Sequence, residues 1–133
     1  MQTKKCLILI PVIIVSLTGC QLFTPALSEL QVGTEIDDVT KQVTNPTDVI
    51  DRTSPIIYCS VFLQNAPAGT KLRTTWERDG RQVTDPIEIE AEGSRYGAFT
   101  LKKPPEGFRT GTYNVRIELV DTPVALEKSF EVE

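Results

Sequence analysis

The chain has 133 residues, 14 Lys and Arg against 18 Asp and Glu, a formal net charge of −4 and no histidine. The acidic balance argues against nucleic acid as a partner. The missing histidine removes the commonest general base, the Ser-His-Asp arrangement and most zinc sites.

The chain opens on two cations, Lys4 and Lys5, followed by an apolar run from Cys6 to Val15. This is the charged region and short hydrophobic region of a secretory signal. A membrane-spanning helix needs about 20 apolar residues, and this run gives way to Thr18 and Gly19 before reaching that length. The four residues that follow the run, Leu17-Thr18-Gly19-Cys20, resemble the lipobox of bacterial lipoproteins. The resemblance implies cleavage before Cys20 and diacylglycerol on its sulfur, so that residues 1–19 are a signal peptide and 20–28 a lipidated cysteine and tether. Each buried methylene contributes about 0.8 kcal/mol, and two or more acyl chains hold a protein stably on its membrane. In Gram-negative lipoproteins an Asp after the cysteine favours inner-membrane retention; here that position is Gln21. The expected location is the cell envelope, lipid-anchored, and in a Gram-negative host the outer membrane facing the periplasm or the surface. Two of the 14 basic residues, Lys4 and Lys5, leave with the signal, so 12 remain against 18 acids; this balance also argues against anionic lipid headgroups as partners.

Residues 20–133 are enough for one domain with one modest core. Cys6 leaves with the signal and Cys20 carries lipid, so Cys59 has no internal disulfide partner. It sits in the apolar run Ile56–Leu63, where a free cysteine behaves as a small buried hydrophobe rather than a reactive thiol. The stretch from Glu29 to Ser54 admits two readings, a linker or an edge strand with a long connection. From Ile56 onward, short β-branched and aromatic runs alternate with turn residues. Ile56–Leu63 predicts a strand, and Asn65-Ala66-Pro67-Ala68-Gly69 a turn. Lys71–Arg78 alternates, with Leu72, Thr74 and Trp76 on one face, and Asp79-Gly80 predicts a tight hairpin. A return strand from Arg81 breaks at Pro86. Ile87, Ile89 and Ala91 then alternate with Glu88, Glu90 and Glu92. Further strands are predicted over Tyr96–Leu101, Tyr113–Leu119 and Ala125–Val132, with Lys102–Thr110 as a loop.

Six or seven short strands with turns every 8 to 12 residues and no helical periodicity make the chain all-β. Trp76, on the strand after the one that holds Cys59, and the motif Gly111-Thr112-Tyr113-Asn114-Val115 resemble those of immunoglobulin-like and fibronectin III-like domains. The resemblance implies an antiparallel β-sandwich of about seven strands over residues 29–133, with 29–54 as edge strand and connection. It also implies that Trp76 packs between the sheets and that the Tyr113 hydroxyl bonds back to the corner before its strand. Val115 stands where the second cysteine of the antibody-type bridge would be, leaving Cys59 unpaired.

Chemistry is sparse. Glu88, Glu90 and Glu92 share one strand face about 7 Å apart, a spacing that glycosidase pairs also use, but a solvated acidic face is the simpler reading. Asp37, Asp38, Asp48 and Asp51 offer oxygen ligands without the spacing of a calcium loop. The loop carrying Lys102, Lys103, Phe108 and Arg109 gathers three cations and an aromatic, and reads equally as an interaction loop or as a plain connection. The expectation is a membrane-anchored, non-enzymatic binding or interaction module with no cofactor. Its partners are the membrane, through lipid, and an envelope protein or glycan. An assembly accessory of an envelope complex is the alternative, and a carboxylate-based glycan hydrolase the distant one.

Overall fold

A computed structural model describes residues 24–133, and no helix occurs among them. Their nine strands are β1 (Ala26–Gly33), β2 (Val49–Ile50), β3 (Ile56–Ala66), β4 (Lys71–Arg78), β5 (Arg81–Gln82), β6 (Ile87–Glu90), β7 (Gly93–Lys102), β8 (Gly111–Leu119) and β9 (Ala125–Val132). One sheet runs β1-β3-β7; the other runs β2-β9-β8-β4-β5, with β6 pairing to β4 beside β5. All pairings are antiparallel except β2 with β9. Two sheets, antiparallel apart from that one pair, enclose one apolar layer and form an immunoglobulin-like β-sandwich. Seven strands have four residues or more, and the other two have two residues each.

Period-two alternation puts one face of each long strand inside. On β4, Leu72, Thr74 and Trp76 are fully buried, and on β8 Tyr113, Val115, Ile117 and Leu119 are buried. Opposite them β3 contributes Ile57, Cys59, Val61 and Leu63, each 0% exposed. Trp76 meets Phe130 edge-on at 6.2 Å, and Tyr113 stacks on Phe130 at 5.4 Å. This aromatic trio joins β4, β8 and β9 in the core. Burial pushes the Cys59 thiol far above its ordinary range, against a weaker pull from the Phe99 backbone N–H bonded to it.

The segment left open between linker and strand is ordered. β1 begins at Ala26, so Ala26–Ser28 of the expected tether lie in a strand, and it pairs with β3 through a bulge between Ser28 and Gln31. The bulge breaks an otherwise open sheet edge, which guards against edge-to-edge aggregation. After β1, Asn45 pins the chain: its Oδ1 accepts from the N–H groups of Thr34 and Glu35 at 3.1 and 2.9 Å, and its amide donates to Thr34 Oγ1 at 2.8 Å. Gly33 makes this possible, because a Cβ there would come within 2.6 Å of Asn45 Oδ1 and 2.8 Å of its carbonyl oxygen. The chain then crosses to the second sheet, where β2 runs parallel to β9.

The Asp79-Gly80 turn has positive φ at both residues, 48° and 82°. That is the geometry of the two-residue hairpin whose twist matches its strands. β5 ends after Gln82, and β6 resumes pairing with β4 only at Ile87. The interruption spans Pro86, which has no N–H to give a ladder, and leaves a kinked edge on the second sheet.

Candidate functional site

The kinked edge formed by β5 and β6 faces the outer strand of the first sheet, β7; the Ile89 side chain of β6 reaches β7 at Gly97, and further along the two walls part. Between them, toward the end of the sandwich that carries the β7–β8 loop, lies a groove of about 600 Å³. Its second-sheet wall holds Val83 and Ile87, which are 38% and 41% exposed, and its first-sheet wall Thr100 and Leu101. Pro104, Phe108 and Tyr113 add apolar surface from the loop and the start of β8. Pockets of this size and apolar character with a few polar groups are the usual form of ligand sites.

Cations surround this floor. Arg78, Arg81, Lys102 and Arg109 line the groove together with one acid, Glu106, and Arg52 and Asp79 line an adjoining cleft. Among the described residues, Arg78 reaches Asp79 at 3.8 Å, and Arg52, Arg81, Lys102 and Arg109 have no ion pair. The basic residues elsewhere are more often neutralised. Arg73 bonds Glu88 at 2.6 Å and reaches Glu118 at 3.6 Å, Arg116 approaches Glu127 at 3.8 Å, and Lys128 reaches Asp48 at 3.1 Å.

The loop at the mouth of the groove is held by a hydrogen bond that the resemblance to immunoglobulin-like domains implied. Tyr113, the first core residue of β8, donates from its hydroxyl to the Arg109 carbonyl at 2.7 Å. Phe108 beside it is 3% exposed and belongs to the core cluster. Of the four residues expected to form an interaction loop, Lys102, Phe108 and Arg109 line the groove and Lys103 lies outside its lining. Phe108 thus serves the groove from within the core, as a plug that fixes the loop. A single-sequence reading has no signal for this, because loop aromatics carry no periodicity.

The other singled-out residues lie elsewhere. Trp76 is fully buried. Glu88 is engaged with Arg73, and Glu92 lies beyond the end of β6. Three of the four aspartates have separate partners. Asp37 accepts from the N–H groups of Val39 and Thr40 within its own turn. Asp51 accepts from the N–H and hydroxyl of Thr53, and Asp48 pairs with Lys128. These local donors hold the carboxyls of Asp37 and Asp51 below the usual carboxylate range. Among the described residues no three Asp, Glu, Cys or His side chains are grouped to hold a metal. Cys20 lies outside the described residues.

The fold and groove define the class: an immunoglobulin-like β-sandwich with an open, cation-rimmed cleft between its sheet edges. No protein-family model matches the chain, and no curated protein does. Among solved structures it is similar to the CARDB domain of a Pyrococcus furiosus protein, at 13% identity and a TM-score of 0.46 over 82% of this chain and 94% of that one. It is likewise similar to that domain in complex with di-metal ions, at 12% identity and a TM-score of 0.44 over 82% and 87%. A third likeness is to a β-glucosidase involved in saponin metabolism from intestinal bacteria, at 12% identity and a TM-score of 0.46, covering 84% of this chain and 16% of the enzyme. At these scores the fold assignment rests on the strand order and register described above.

Proposed function

We propose that the protein is a lipid-anchored envelope lipoprotein whose β-sandwich is a non-enzymatic binding module, engaging its partner at the groove between β7 and the β5–β6 edge. The anchor part rests on the lipobox Leu17-Thr18-Gly19-Cys20. The binding part rests on one observation, an open apolar groove of about 600 Å³ rimmed by four cations on an acidic molecule. Attachment through Cys20 confines the module to one membrane surface, where an effective concentration higher than that of a free protein compensates for modest affinity.

Two measurements on the full chain in cells test this. Cys20→Ser leaves the membrane fraction; a variant still recovered wholly with membranes refutes the anchor. A photo-crosslinking residue at Gln82, in the groove, yields a discrete product, whereas one at Gln64, exposed on β3, does not. Absence of a Gln82 product, or equal products from both positions, refutes the binding reading at this groove.

A further inference from the structure

We infer that the groove takes an extended acidic polypeptide segment, which adds as a strand to the outer edge of β7 and turns alternate apolar side chains onto the groove floor. The inference rests on the binding reading above and names its ligand.

Three observations converge. The first is the unpartnered backbone of β7, which is the terminal strand of its sheet. The Lys103 N–H donates back toward β3, to the Pro55 carbonyl at 3.1 Å. Backbone groups alternate sides along a strand, so those of Leu101 also face β3 and those of Thr100 and Lys102 face outward, at the groove. Strand addition to an exposed edge satisfies such a row, with main-chain bonds providing affinity and pockets for alternate side chains providing selectivity. A purely aliphatic ligand leaves it unmet.

The second is the opposite wall. Val83 and Ile87, two of the four large hydrophobics most exposed among the described residues, stand on it. With Leu101 and Pro104 they give one side of an added strand an apolar surface to cover. The third is charge. Of the 12 cations in residues 24–133, five line this groove or the adjoining cleft, with two of the 18 acids. A local excess of positive charge on a negative molecule selects an acidic partner and disfavours a basic one.

The test uses the full chain reconstituted in lipid nanodiscs and a fluorescein-labelled peptide of alternating glutamate and valine, followed by anisotropy. A peptide of alternating lysine and valine and the fatty acid laurate are the comparison probes. The glutamate peptide binds and weakens with added salt, while the lysine peptide does not bind. Arg81→Glu with Arg109→Glu weakens binding by about tenfold or more, and Thr100→Pro, which removes one outward N–H at a sheet edge where proline is tolerated, weakens it about fivefold. The charge-reversed variant keeps the backbone intact, so the test survives if Thr100→Pro misfolds.

Binding of the glutamate peptide unaffected by the charge reversal, equal binding of both peptides, or binding of laurate alone overturns the inference. So does self-association of the chain through the same edge. A Gln82 crosslink in cells that persists alongside any of these leaves the binding reading standing and removes only the acidic strand. Loss of that crosslink removes both.

Discussion

Tyr113→Phe isolates one bond of the corner that holds the groove's mouth. The tyrosine ring is 3% exposed and stacked on Phe130 at 5.4 Å, so phenylalanine keeps the packing and leaves no cavity. What goes is the 2.7 Å hydrogen bond to the Arg109 carbonyl. A net hydrogen bond contributes about 0.5–1.5 kcal/mol, and a carbonyl left half-buried without its donor pushes the loss to the upper part of that range, about 1–1.5 kcal/mol. With an unfolding entropy of about 2.1 cal/mol/K per residue over roughly 110 ordered residues, each kcal/mol is worth about 4 °C, giving a Tm lower by about 4–6 °C. Circular dichroism melts and urea titrations of the full chain measure this, with the urea m-value unchanged because the same surface is exposed. Tyr96→Phe is the control, since its hydroxyl bonds Glu29 at 3.0 Å on the exposed surface and its loss falls within about 0.5 kcal/mol. Equal Tm shifts for the two variants, or a Tyr113→Phe shift under about 1 °C, refute the corner's role.

Gly33→Ala drives a Cβ into the Asn45 carbonyl and side chain and destabilises by about 1–3 kcal/mol through the displaced connection. Hydrogen exchange at Thr34 and Glu35, whose N–H groups Asn45 accepts, rises first; unchanged protection there counts against the clamp. Thr74 is fully buried and its hydroxyl has no partner, so Thr74→Val removes an unsatisfied group at nearly constant shape and is neutral to stabilising, by up to about 1 kcal/mol in urea; a loss of stability is the contrary result. Cys59 keeps its proton in the folded protein well above the ionisation of an unfolded thiol near 8.5. Above that pH the native state therefore keeps a proton that the unfolded state has lost, and stability falls by about 1.4 kcal/mol per pH unit until the folded thiol itself ionises. The alkaline decline is shallower in Cys59→Ala. Parallel pH profiles for the two proteins, or labelling of folded Cys59 as fast as of a free thiol, contradict the burial argument.

Alternation within a strand depends only on neighbours in sequence, which is why the buried faces of β4 and β8 and the turn at Asp79-Gly80 were legible from residues alone. The Tyr113 bond, whose acceptor is four residues away, was implied by the resemblance to immunoglobulin-like domains. Where contacts span the chain, local pattern is silent. Gly33 and Asn45 order the stretch that read equally as linker or strand, and the bulge in β1 is set by pairing with β3. The composition described an acidic molecule, and only the fold shows that five of its cations converge. They come from Arg52 after β2, the β4–β5 hairpin, the end of β7 and the loop behind it. Whether β7 and the β5–β6 edge close on each other is a property of two different sheets, so no single strand encodes the groove. The sequence by itself determined the strand faces and the hairpin, because each is written in adjacent residues. The tertiary structure decided which edges face across an open cleft and that Phe108 plugs the core, because both follow from how the sheets stack.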